Sequence, residues 1–136
     1  MSSENVAVIQ GLYDAFATGD VPGVLGAMSA DIVWNEAQNF PYDDQNPYIG
    51  PDAVAEGVFG RIMNEWDDWS VDVGELLDAG DTVVALGHYT GTFKKNGRPH
   101  RSQMVHVWRL ASGKITGFQQ YVDTLRVARV MGNAGG

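Results

Sequence analysis

Residues 102–110 (Ser-Gln-Met-Val-His-Val-Trp-Arg-Leu) are bulky or β-branched at both alternations. A strand built from them is apolar on both faces and has to be covered on both. His106 sits at its centre. A buried imidazole must find a partner or give up its charge. A second strand-like run, residues 31–36 (Asp-Ile-Val-Trp-Asn-Glu), carries Glu36 at its apolar end. Ile32, Trp34 and Glu36 share one face, because side chains alternate along a strand. If both runs turn these residues into one cavity, the chain holds an acid/base pair in an apolar pocket.

The rest of the chain supplies the covering layer. Val6, Ile9, Leu12, Tyr13 and Phe16 follow helical spacing, so residues 4–17 predict an amphipathic helix that starts near Ser3 and stops at Gly19. Asp20 caps a short second helix with Pro22 in its first turn and Val24, Leu25 and Met28 facing inward. Residues 37–50 read as a long loop, whose Phe40, Tyr42 and Tyr48 either close a cavity mouth or anchor the loop. Asp52 opens a third helix with Val54, Val58, Ile62 and Met63 on one stripe. Segments 71–77, 82–93, 100–110 and 115–122 read as strands. Asp123 or Thr124 caps a final short helix, and Asp123 reads as a cap before it reads as a second carboxylate. Helices followed by a strand meander make an α+β fold, a cone-shaped roll of N-terminal helices on a mostly antiparallel sheet. With no linker or repeat, residues 1–136 form one domain, frayed over 132–136.

Turn chemistry sets the expected register. Asn96-Gly97 reads as a two-residue hairpin turn, which would set Tyr89 opposite Met104, Gly87 opposite His106 and Ala85 opposite Trp108. At the next turn, a three-residue loop Ala111-Ser112-Gly113 would put Phe118 and Gln120 on the His106 face. A two-residue turn, Ser112-Gly113, would put Gln119 and Tyr121 there instead. The opposite face carries Leu86, Val105 and Val107, and an apolar outer face predicts a homodimer.

Composition narrows the chemistry. The net charge is −8, with no basic stripe to offset phosphate, so nucleic acid and anionic membranes are not expected partners. There is no cysteine, which excludes thiol catalysis. His88, His100 and His106 lack metal-ligand spacing, so no metal is expected. The N-terminus has no signal-peptide pattern and no run could span a bilayer, so a cytoplasmic protein is expected.

Ordered motifs then add a resemblance. Leu12-Tyr13-Asp14-Ala15-Phe16 precedes Gly19-Asp20, and Met28-Ser29-Ala30-Asp31-Ile32-Val33-Trp34 follows. Next come Tyr48-Ile49-Gly50, His106-Val107-Trp108-Arg109-Leu110, Gly113-Lys114-Ile115 and Tyr121-Val122-Asp123-Thr124. From Val6 to Val130 the chain resembles the nuclear transport factor 2-like superfamily, above all its SnoaL-like polyketide cyclases and more distantly the ketosteroid isomerases. The resemblance implies helices wrapped by a strongly curved sheet around a deep pocket. It puts Glu36 where the isomerases hold their general base, and His106 where they hold an oxyanion-supporting acid and the cyclases a histidine. Leu12 stands where the isomerases have the oxyanion-hole tyrosine, and Gln120 where the cyclases have their aspartate. Leucine cannot donate a hydrogen bond and an amide cannot take up a proton at neutral pH, so both depart from the pattern.

The resulting candidate site has Glu36 and His106 as catalytic residues. Around them, Gln120, Trp34, Tyr89, Met104, Trp108, Phe118 and Leu12 would bind a small hydrophobic or carbonyl-containing ligand. The implied activity is isomerase, cyclase or dehydratase chemistry, with proton abstraction α to a carbonyl and no cofactor. The competing readings are a non-catalytic hydrophobic-ligand-binding module and a dimeric interaction domain. At the level of single residues, Glu36 could instead turn into the solvated loop. His106 could be a core histidine bonded to a backbone carbonyl or to Gln120.

Overall fold

The computed structural model describes residues 2–132, with side chains from Glu4 onward. Helix α1 (Ser2–Ala17) and helix α2 (Val21–Gly26) come first, and the Asp20 carboxylate caps α2 by accepting from Gly23 N–H. Strand β1 (Met28–Asn35) leads through a loop to the short β2 (Tyr48–Ile49). A helical segment follows as α3 (Pro51–Val54), a π-helical stretch (Ala55–Phe59) and α4 (Gly60–Glu65). The meander is β3 (Trp66–Asp78), β4 (Thr82–Phe93), β5 (Pro99–Ala111) and β6 (Lys114–Val122), closed by α5 (Thr124–Val130). Asp123 caps α5 by accepting from Arg126 N–H. The expected fraying of 132–136 falls, from residue 133 on, outside the described residues. Among the described residues no helix is long and apolar enough to cross a membrane.

The six strands make one curved, unclosed sheet in the order β2-β1-β6-β5-β4-β3, antiparallel except where β1 runs parallel to β6. This is the α+β arrangement expected. The helices cover one face. Ile9, Leu12, Val24, Ile32, Val83, Ile115 and Trp108 are at most 1% exposed and form the centre of that layer. A second cluster, around Phe40, Tyr42, Trp66, Phe93 and Val127, fills the far end beneath α5.

Several local expectations are corrected. The β4–β5 hairpin turns through Lys94-Lys95-Asn96-Gly97, with Phe93 N–H donating to Arg98 O and Gly97 in the left-handed region at φ 69°. The register therefore moves by two, so Ala85 faces His106, Gly87 faces Met104 and Val83 faces Trp108. An even shift leaves every side chain on its expected face. Gly87 also lies beside a β-bulge between Val73 and Glu75, where a Cβ would collide with the backbone carbonyl of Asp72. At the next turn, Ala111 pairs directly with Lys114, so the loop is the two-residue Ser112-Gly113, both at positive φ. That turn alone would have rotated β6. An irregularity between Arg109 and Leu110, opposite Thr116, restores the phase and brings Phe118 opposite Trp108 and Gln120 opposite His106.

The third helix was expected to bury Met63, yet Met63 is 65% exposed. The π-helical stretch accounts for this. Its wider turn brings both Val58 and Phe59 inward and displaces the stripe beyond them. The loop after β1 is packed, not floppy: Phe40, Tyr42 and Tyr48 are at most 2% exposed. Tyr42 Oη donates to Glu65 at 2.6 Å, Trp66 Nε1 donates to Tyr42 Oη at 3.0 Å, and the Arg61 guanidinium lies 4.7 Å from the Tyr42 ring centre.

Candidate active site

Strand alternation puts Trp34 of β1 and Glu36 just past its end, Tyr89 of β4, His106 and Trp108 of β5, and Phe118 and Gln120 of β6 around one cavity of about 240 Å³. All seven were expected to share a pocket. Leu12 and Met104 do not border it. Leu12 is buried in the helix–sheet core, since a one-residue helical step swings its neighbour Tyr13, not Leu12, toward the imidazole. Met104 lies on the His106 face but one strand repeat further along β5, opposite Gly87 and Val122, and does not line the cavity. The helical wall comes from Ala15, Phe16, Val58 and Phe59. Exposed Gly19, Asp20 and Met63 mark the opening, so the mouth lies at the α1–α2 turn and not at the long loop.

Four aromatic residues in or behind this wall, Phe16, Phe59, Trp69 and Tyr13, were missed by sequence reasoning. Phe59 reaches the cavity through the π-helical turn. Trp69 reaches it at a bulge between Asp67 and Ser70, next to Asp68 at φ 54°. Neither irregularity has a periodic signature. Tyr13 did carry a signal, as a polar-tipped residue on the inward stripe of α1.

Glu36 is 2% exposed and does not turn into the loop. Its Oε2 accepts from Trp34 Nε1 at 3.0 Å, and its Oε1 has no hydrogen-bond partner. Burial pushes its carboxyl up to about 8, only partly opposed by the indole hydrogen bond. His106 is 4% exposed, with both nitrogens engaged: Tyr13 Oη lies 2.6 Å from Nδ1, and Tyr89 Oη lies 2.5 Å from Nε2. Burial lowers its pKa to about 3, so the ring is neutral across the physiological range. Gln120 is committed as well, accepting from Ala37 N–H at 3.0 Å and donating to Tyr89 Oη at 2.8 Å. Among the described residues no group of three or more His, Cys, Asp or Glu side chains is placed to hold a metal ion.

Residues 9–118 match the SnoaL-like domain, which is most of the chain. The chain belongs to the SnoaL-like family. None of the curated proteins matches it. A nuclear transport factor 2-like protein from Burkholderia thailandensis is 34% identical, covering 92% of this SnoaL-like chain and 95% of that one, with a TM-score of 0.88. A similar protein of unknown function from Burkholderia pseudomallei is 28% identical over 93% of this chain and 96% of its own, with a TM-score of 0.85. The protein TerC, co-crystallised with polyporic acid, is 22% identical over 95% and 98% of the two chains, with a TM-score of 0.85, and shares the fold.

Proposed function

We propose that the protein is an acid/base enzyme that moves a proton at a carbon next to a carbonyl, in a small, flat, mostly apolar substrate. The observation that carries this reading is the Glu36 carboxyl, buried against the cavity with one oxygen free. A cavity of about 240 Å³ is smaller than the roughly 300–1,000 Å³ typical of sites for drug-sized ligands, which favours one or two fused rings. Its aromatic walls, Trp34, Trp108 and Phe118 among them, favour a planar ligand. Near neutral pH a carboxyl at about 8 supplies both protonation states, which general acid/base work requires. The co-crystallisation of TerC, a protein of this fold, with polyporic acid is consistent with a small-molecule ligand here.

A suitable probe is β-tetralone, a two-ring enolisable ketone. In deuterium oxide the protein is expected to accelerate deuterium entry at the α carbon, followed by proton NMR. Below about 8 the rate should rise about tenfold per pH unit, as the base form of Glu36 accumulates, and then level off. Binding of the ketone without exchange would leave a hydrophobic-ligand carrier in place of an enzyme.

A homodimer through the outer sheet face is part of the proposal. Val105 and Val107 are half-buried there, and Tyr121 is 56% exposed on the same face. Sedimentation velocity decides it: a monomer at every concentration removes the dimer.

A further inference from the structure

The hydrogens around His106 do not balance within the protein. A neutral imidazole has one N–H and one bare nitrogen. Here each ring nitrogen meets a phenol oxygen, Tyr13 at Nδ1 and Tyr89 at Nε2. Each phenol oxygen also accepts from a group that can only donate: Trp108 Nε1–H reaches Tyr13 at 2.9 Å, and the Gln120 amide N–H reaches Tyr89 at 2.8 Å. The Gln120 orientation is fixed, because its oxygen takes the Ala37 N–H. Two phenols bring two hydrogens, and the single bare ring nitrogen takes one. The other must point away from the imidazole.

Only two arrangements exist. With the hydrogen on Nδ1, Tyr89 donates to Nε2 and the surplus belongs to Tyr13. Tyr13 is 7% exposed and does not border the cavity, so a buried O–H would lack an acceptor, at a cost of about 1–3 kcal/mol. With the hydrogen on Nε2, Tyr13 donates to Nδ1 and the surplus belongs to Tyr89. Tyr89 borders the cavity, as does Glu36, whose Oε1 has no hydrogen-bond partner.

We infer that Tyr89 is the hydrogen-bond donor to the substrate oxygen, held by His106 as the Nε2–H tautomer, and that the ligand class is a carbonyl compound bound between Tyr89 and Glu36. The inference rests on the enolising role proposed for Glu36. The Glu36 carboxylate takes the α hydrogen as a proton. The C–H electron pair becomes a carbon–carbon double bond, and the carbonyl π pair moves onto oxygen, where the Tyr89 O–H meets the new charge. Return of the proton from Glu36, to the same carbon or to the far end of a conjugated enone, reverses the electron flow. Burial keeps the Tyr89 phenol protonated, so it donates a hydrogen bond without releasing its proton. His106 borders the cavity, but both its ring nitrogens are taken by phenols, so it makes no hydrogen bond to the ligand and acts as a positioning residue.

Three readouts test this. In ligand-free protein, nitrogen NMR is expected to show the His106 hydrogen on Nε2, and a hydrogen on Nδ1 would overturn the assignment. The carbonyl infrared stretch of bound β-tetralone should shift to lower frequency in the wild type and in Glu36→Gln, and the shift should vanish in Tyr89→Phe. His106→Gln, which keeps an N–H directed at Tyr89, should retain the shift, and His106→Leu should lose it. Deuterium exchange should fall by about 10²–10³-fold in Tyr89→Phe. A shift that survives Tyr89→Phe removes the Tyr89 assignment and leaves the Glu36 reading intact. A shift in the wild type without deuterium exchange removes the Glu36 reading and leaves Tyr89 as the donor.

Discussion

Glu36→Gln is expected to remove deuterium exchange into β-tetralone and, at the same time, to stabilise the protein in mild alkali. The loss of exchange should be at least about 10²-fold, the usual worth of a positioned general base. The gain in stability has the same origin. In the unfolded chain the carboxyl ionises near 4.5, and in the folded protein it holds its proton to about 8. Between these values the folded state binds one proton more than the unfolded state, so stability falls as pH rises. The slope is about 1.4 kcal/mol per pH unit, which accumulates to about 5 kcal/mol by the time the folded carboxyl has ionised. Glutamine keeps an acceptor for the Trp34 indole and never acquires charge. Urea denaturation at pH 5 and pH 9 measures the effect. The wild type should lose stability between the two, and the variant should lose much less. Equal losses would mean that Glu36 ionises like an ordinary surface carboxylate, and the proposed base would go with it.

The second large effect has the opposite sign of pH dependence and comes from His106. The unfolded imidazole takes up a proton below 6.5, whereas the folded one, buried between two tyrosines, stays neutral to about 3. Below 6.5 the unfolded state is the one that binds more protons, so stability falls as pH falls. By pH 3 the accumulated loss is again about 5 kcal/mol. Between 4.5 and 6.5 the two contributions cancel, and the combined profile is flat there with a decline on each side. His106→Gln should remove the acid-side decline. The variant gives up ring packing against Phe118 and Trp108, so the comparison is of slopes and not of absolute stability. Denaturant titrations from pH 6.5 to pH 3 measure it: the wild type should stay level to about 4.5 and then fall, whereas the variant should gain stability down to about 4.5 and keep it below. A variant as acid-sensitive as the wild type would show that the imidazole protonates within the folded protein.

How much of the site was legible beforehand follows from which quantities are local. Ile32, Trp34 and Glu36 share a face because strand geometry fixes a period of two, and the same rule places His106 beside Trp108. The two-residue error in the β4–β5 register left the faces unchanged for that reason. The β5–β6 turn is a harder case. The expected three-residue loop gave the correct face for Phe118 and Gln120, but the protein reaches it by a tighter turn and a compensating irregularity. Local residues permit either route, and the choice is made by pairing along both edges of β6, with β5 on one side and β1 on the other. Trp69 and Phe59 were invisible because a bulge and a π-helical turn break the periodicity on which such reading depends.

The sequence by itself determined the α+β order, the inward faces of the strands and the presence of one acid and one imidazole on those faces. It did so because these properties follow from covalent geometry and from side chains near in the chain. Only the tertiary structure decided that Tyr13, 93 positions away, would bond His106, that a second phenol would take the other ring nitrogen, and that Glu36 would keep one oxygen unpartnered. Those outcomes depend on desolvation and on partners brought from distant segments, and both exist only once the helices close over the sheet.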